Sequence, residues 1–157
     1  LLILGTEIAA TMLCEGRSSL IVKKLREEKR IIESIEIDLQ ILEEGGLIIL
    51  DLCCPIDNIT FVDEELNKIL YEFSADLVTE KDLKRAKKLV TNNIYFGIEL
   101  SNQIASTLGN QALWGRHESI LKSIKEMSYW TSDRLKQIIY PLFNPDESFT
   151  LIAEPEN

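Results

Sequence analysis

Catalysis and metal binding need particular side chains at particular spacings, and this sequence offers few of them. Its single histidine is His117, followed by Glu118. A histidine-based zinc site needs two or three ligands of His, Cys or carboxylate type at helical or loop spacing, and His117-Glu118 alone does not make one. The ordinary place for such a histidine is the surface near a helix start. A Ser-His-Asp triad would have to use the same residue, and no G-x-S-x-G is present. Neither G-x-G-x-x-G nor a P-loop occurs. The three cysteines are Cys14, Cys53 and Cys54. Adjacent residues on a strand point to opposite faces, so Cys53 and Cys54 cannot clamp one zinc and are badly placed to bridge each other. They read as small buried hydrophobes in a reducing, cytoplasmic setting, and Asp51 and Asp57 argue against a reactive thiol. Carboxylates abound over residues 33–72 without a spacing that pairs them for acid–base work. Trp114, Tyr129 and Trp130 could stack on a ligand, but each stands where a core or helix-junction aromatic is expected. Spacing alone therefore names no catalytic residue and no metal ligand.

The elements that would position these side chains follow from hydrophobic periodicity. Leu1, Leu4, Ile8, Met12 and Leu13 form one stripe of a first helix, with Gly16 placed to end it. Ser18 or Ser19 can cap a second helix through Leu25. Ile35, Ile37, Leu39 and Ile41 alternate with Glu36, Asp38 and Gln40, a strand wet on one face. Glu43-Glu44-Gly45-Gly46 turns the chain. Leu47–Cys54, nearly continuously apolar, returns as the second, more buried strand of a hairpin, and Pro55 stops it. Asn58 or Thr60 opens a helix whose stripe is Val62, Leu66, Ile69, Leu70, Phe73 and Leu77. Thr79 with Asp82 starts a long third helix in the manner of a capping box. Its stripe runs through Leu83, Ala86, Val90, Ile94, Ile98, Ile104 or Ala105, and Leu108, with Gly97 as a place to break. Shorter helices are expected at Gln111–Trp114, Glu118–Met127 and Ser132–Tyr140. Ser148–Ala153 has the composition of a last strand. Strands grouped rather than alternating with helices predict an α+β fold, an antiparallel sheet with helices packed on one face.

The bulk properties narrow the function further. The chain has 157 residues, one domain by length and enough to bury a core. Hydrophobic residues make up 45% and charged residues 27%, which excludes a disordered chain. The net charge is −9, a poor match for nucleic acid or an anionic membrane. No uncharged apolar run approaches the ~20 residues that span a bilayer, and no signal peptide is readable. The charge is uneven. Residues 15–30 carry six basic and three acidic side chains, whereas residues 33–72 carry eleven acidic side chains and Lys68. The second block is either a set of solvated faces or a docking surface for a basic partner. Residue 1 is Leu rather than Met, so an upstream continuation is expected.

Three segments, in order, resemble one known family. The run Gly16-Arg17-Ser18-Ser19-Leu20-Ile21-Val22-Lys23-Lys24-Leu25-Arg26-Glu27-Glu28-Lys29-Arg30 is similar to the G-x-S-S-R-L…L-R-E-K-R segment of pitrilysin/insulinase-type zinc metallopeptidases, the group that includes the mitochondrial processing peptidases. Val78-Thr79-Glu80-Lys81-Asp82-Leu83-Lys84-Arg85-Ala86-Lys87 resembles that family's V-T-E-E-E-L-x-R-A-K helix start. Leu142-Phe143-Asn144-Pro145-Asp146 resembles its Y-L-N-P-D-N ending.

The resemblance implies a domain that occurs in two copies per subunit. In that family zinc is held in the first copy by H-x-x-E-H and a downstream Glu, which this chain lacks. Residues 1–157 thus look like one truncated, C-terminal, non-catalytic domain, without its first strands. No cofactor is implied in this chain, and zinc is expected in a homologous N-terminal domain if the whole protein is active. The implied partners are that N-terminal domain, a homo- or heterodimer mate and a peptide substrate. In active members the second copy lends an Arg and, seven residues on, a Tyr to bound peptide. Arg26 matches the Arg, and Glu33 stands where the Tyr would be. Arg26 also lies beside Glu27 near a helix end, where it could simply pair or cap. A degenerate, metal-free relative serving as partner subunit or scaffold is the alternative reading.

Overall fold

The computed structural model describes residues 1–42, 45–73, 79–113, 115 and 119–154. Helix α1, Leu2–Cys14, is apolar nearly all round and buries Leu4 to Thr6 and Ile8 to Cys14. Such a helix belongs in the middle of a core. It packs against helix α3 (Glu80–Phe96), a π-helical turn at Leu135–Ile139 and strand β1 (Ser34–Ile41). Thr6 keeps its hydroxyl satisfied by donating to Leu2 O at 3.1 Å. Gly16 ends α1 with φ of 82°, a conformation that favours glycine. Arg85 of α3 donates from Nη1 to Glu15 O at 2.8 Å, a cation at the negative end of α1.

The sheet among the described residues is one hairpin, β1 against β2 (Gly46–Cys53), antiparallel with Ile35 opposite Leu52, Ile37 opposite Leu50 and Leu39 opposite Ile48. Ile35 is buried, and Ile37, Ile48, Leu50 and Leu52 pack against the core. The alternate face carries Glu36 opposite Asp51 and Asp38 opposite Ile49. The fold is α+β, with helices covering one face of the hairpin. Two expectations fail here. Strand β2 is not the more buried partner: none of its residues is buried, whereas β1 buries Ile35, and among the described residues β1 is the only strand that β2 pairs with. Ser148–Ala153 forms no strand either, since neither hairpin strand pairs with it, and Phe149 and Leu151 stand exposed. Residues 43 and 44 of the hairpin turn lie outside the described residues.

Helix α2, Ile59–Phe73, buries Val62, Ile69, Leu70 and Phe73, as its period requires; Leu77 lies outside the described residues. Helix α3 opens with a complete capping box, Thr79 Oγ1 accepting from Asp82 N and Asp82 accepting from Thr79 N. It buries Leu83, Ala86 and Val90, then stops at Gly97. Helix α4, Ser101–Leu113, buries none of its residues, all of them described. The predicted inward stripe beyond Ile98 is therefore not a core stripe: Leu108 is exposed and Ile104 half-buried. Of the expected helix at Gln111–Trp114, Gln111 to Leu113 are the end of α4, and Trp114 lies outside the described residues. Helix α5, Lys122–Glu126, and a short helix α6, Ser132–Arg134, follow. The turns after α6 bring Tyr140 and Phe143 onto Phe73, with ring centroids 4.2 and 5.7 Å away.

Candidate functional site

Arg26 sits in the segment read as an α-helix, which is instead a π-helix at Val22–Glu28. Its signature is Lys29 N donating to Lys24 O at 3.1 Å, five residues back. Ser19 does not cap it. That hydroxyl donates to Gly16 O at 2.7 Å, so it serves the turn instead. The π-helix is closed by Arg30 at φ of 56° and by Ile31 N donating to Leu25 O at 3.0 Å. Val22 and Leu25 anchor it in the core. Two ion pairs fasten it to α2: Lys24 Nζ to Glu72 at 2.9 Å and Lys29 Nζ to Glu65 at 2.6 Å. Lys29 also lies over the Phe61 ring, 5.1 Å from its centroid. The hydrogen bonds of these lysines hold the Glu72 and Glu65 carboxyls below the usual carboxylate range.

The Arg26 side chain is half-buried, and its Nε and Nη2 both donate to Glu27 Oε1, at 3.2 and 3.1 Å. Glu27 Oε2 accepts from Arg17 Nη2 at 2.7 Å. One carboxylate thus bridges two guanidinium groups. The bonds from Arg17, then Arg26, pull the Glu27 pKa down. Glu33 lies just before β1. Its backbone N–H donates to Cys53 O at 2.8 Å, and its exposed carboxylate stands 3.7 Å from Cys53 Sγ. Among the described residues no hydrogen bond or ion pair joins Arg26 to Glu33. The pairing of Arg26 with Glu27 was readable from their adjacency; Arg17, ten residues away, carried no periodic signal.

The remaining chemistry-bearing residues divide by burial. Cys14 is buried, which pushes its thiol up to about 12. Cys54 is half-buried and also raised, by desolvation first. Cys53 is exposed, so the expectation of three buried cysteines is corrected there; it ends β2, opposite Ser34. Trp130 is core, its indole edge-on to Tyr129 at 5.3 Å, and Tyr129 carries Arg134 on its ring. Trp114, His117 and Glu118 lie outside the described residues. Among the described residues no three His, Cys, Asp or Glu side chains stand together as metal ligands. A cleft of about 210 Å³ between the end of α3, α4 and Ile120–Ser123 is lined by Ile94, Ile98, Thr107 and Gln111 and presents no titratable group. Among the described residues no helix is long and apolar enough to cross a membrane.

Comparison with known proteins sets this geometry in context. No family model matches the chain. It is 24% identical over 135 residues to an uncharacterized zinc protease of Mycobacterium leprae, an alignment covering 85% of this chain and 30% of the relative. In fold it is similar to a peptidase M16 inactive domain from Pseudomonas fluorescens, with a TM-score of 0.79 at 13% identity over 88% of this chain and 34% of that one. A protease from Helicobacter pylori superposes with a TM-score of 0.65 at 14% identity, over 91% of this chain and 33% of that one. The chain spans about a third of the length of these relatives. Its α+β architecture is similar to that of the solved peptidase M16 inactive domain, and the pitrilysin-type resemblance read from its motifs agrees with both kinds of likeness.

Proposed function

We propose that residues 1–157 are one C-terminal, non-catalytic domain of a zinc-dependent metallopeptidase of the pitrilysin/processing-peptidase type, helping to enclose and bind peptide. The observation that carries this reading is the joint likeness: the sequence matches a zinc protease, and the fold matches an inactive domain of an M16 peptidase. In this reading zinc belongs to a homologous N-terminal domain, and this chain supplies the opposite wall of a peptide chamber. Arg26 is its peptide contact, with Glu33 in the position where the resemblance expects Tyr. A homo- or heterodimer would complete the enclosure, and the uncovered edge of the β1–β2 hairpin is the kind of surface such an arrangement has to cover.

Glu33 favours a second reading, a metal-free relative acting as partner subunit or scaffold. The two are separated by purifying the full-length protein and measuring bound zinc after dialysis together with cleavage of fluorescein-labelled casein. About one zinc per protein and chelator-sensitive cleavage are expected of the peptidase. Absence of both assigns the scaffold role.

A further inference from the structure

We infer that Glu27 is a positioning residue, holding Arg26 in the pose that meets peptide; the inference rests on reading Arg26 as a peptide contact. An arginine on a surface helix normally samples many rotamers, and a contact made with such a side chain costs the freedom it loses. Arg26 is not in that condition. One edge of its guanidinium, Nε with Nη2, is spent on Glu27 Oε1 at 3.2 and 3.1 Å. The other edge, at Nη1, carries no hydrogen bond among the described residues. A planar fork held along one edge presents the other in a fixed direction, which suits a carbonyl or carboxylate oxygen.

Glu27 is itself held. Its second oxygen accepts from Arg17 Nη2 at 2.7 Å, and its side chain is more enclosed than either arginine, 29% exposed against 38% for Arg26 and 82% for Arg17. The segment beneath is fixed in turn, with Leu25 buried and Lys24 and Lys29 tied to α2 through Glu72 and Glu65. Neighbouring residues of an ordinary helix do not face each other. Here adjacent Arg26 and Glu27 meet on a π-helix, a helix form that recurs at functional sites. The Glu27 charge also offsets part of the Arg26 charge, so the pairing would weaken long-range attraction for an anion. Its benefit is orientation, not field strength.

The test measures binding of a fluorescein-labelled random 20-residue peptide pool to the full-length protein by anisotropy, over Arg26→Ala, Glu27→Ala, Glu27→Gln and the double variant Arg26→Ala with Glu27→Ala. Arg26→Ala should weaken binding about tenfold, the scale of a lost charged hydrogen bond. Glu27→Ala should weaken it about threefold, with Glu27→Gln, which keeps an acceptor at the same reach, recovering part of the loss. The double variant should bind no worse than Arg26→Ala alone, because Glu27 acts through Arg26. Urea unfolding midpoints of all four should stay near wild type, since these side chains are at the surface. Equal losses from Glu27→Ala with and without Arg26, or tighter binding by Glu27→Ala, would overturn the positioning role. No effect of Glu27→Ala beside a clear effect of Arg26→Ala overturns it while leaving Arg26 as a contact. No effect of Arg26→Ala removes the contact itself.

Discussion

Replacing Gly5 by alanine tests how tightly the centre of the fold is built. An added Cβ would stand 2.5 Å from Trp130 Cζ2 and 2.7 Å from both Cε2 and Cη2, closer than real Cβ contacts come. Trp130 is 1% exposed and its indole already meets Tyr129 edge-on, so the ring has little room to retreat. Helix α1 is itself packed against α3. Alanine is worth about 1 kcal/mol over glycine inside a helix. Overpacking costs about 1–3 kcal/mol, and three short contacts to one rigid ring place this case at the upper end. The net expectation is a loss of about 2 kcal/mol, or a fall in Tm of about 4–8 °C for a chain of this size. Urea unfolding followed by far-UV circular dichroism reads it directly. Gly109 supplies the control: it lies in α4 with nothing within 4 Å of an added Cβ. Gly109→Ala should gain about 0.5–1 kcal/mol. Trp130→Phe vacates the atoms that the new Cβ strikes, so the pair Gly5→Ala with Trp130→Phe should lose about 1–2 kcal/mol less than the sum of the single changes. Equal behaviour of Gly5→Ala and Gly109→Ala, or strict additivity with Trp130→Phe, would refute this account of the α1–Trp130 contact.

Three further outcomes are expected. Thr79→Ala removes the acceptor for Asp82 N, and chemical denaturation should show a loss of about 1 kcal/mol. Glu65 is depressed below its ordinary 4.5 chiefly by its bond to Lys29; a carboxyl lowered by folding stabilises above that value and loses its contribution as pH falls through the folded pKa. Glu65→Gln should therefore be less stable than wild type near neutrality, and the gap should close in urea titrations taken progressively below pH 4.5. Maleimide labelling followed by peptide mass mapping should modify Cys53 first and Cys14 only on unfolding, since Cys14 is buried and its thiol is pushed up to about 12.

Legibility in the sequence divides along the range of the forces involved. The Thr79–Asp82 box, the end of α1 at Gly16, the stop at Gly97 and the existence of the β1–β2 hairpin are set by residues close in sequence, and motif and period are enough to find them; the register, which pairs Gly46 with Ile41 rather than leaving it in the turn, was not read. The stripes of α2 and of the first half of α3 were legible because one unbroken period coincides with one buried face. Beyond Gly97 the same period continues, but α4 has no buried face, so periodicity named Leu108 as core where it is exposed. The π-helix at Val22–Glu28 was missed because its residues are ordinary helix formers. What distinguishes it is hydrogen bonding one residue wider, together with the Lys24 and Lys29 pairs to α2. Of the site, Arg26 and its neighbour Glu27 were visible. Arg17 was not, because its link to Glu27 depends on the turn at Gly16 bringing the two together.

The hairpin shows why a strand's composition can speak for more structure than one chain provides. Leu47–Cys54 is apolar at both alternate sets of positions, and such runs belong to strands covered on both faces. Its even-numbered set, Ile48, Leu50 and Leu52, meets the core. The odd-numbered set contains Leu47 and Ile49 opposite Gln40 and Asp38, with Asp51 opposite Glu36. A face combining exposed Leu47 with a like-charge cross-strand pair stabilises this hairpin little by itself. Phe149, Leu151 and Ile152 add exposed apolar surface in a segment that pairs with neither hairpin strand. These residues burden an isolated domain, and they are intelligible if the sheet continues beyond these strands, as the match to only about a third of the solved relatives allows. The Arg26 site makes no such demand. Its carboxylate bridge, its π-helix and its two lysine ties to α2 all close among residues 17–72.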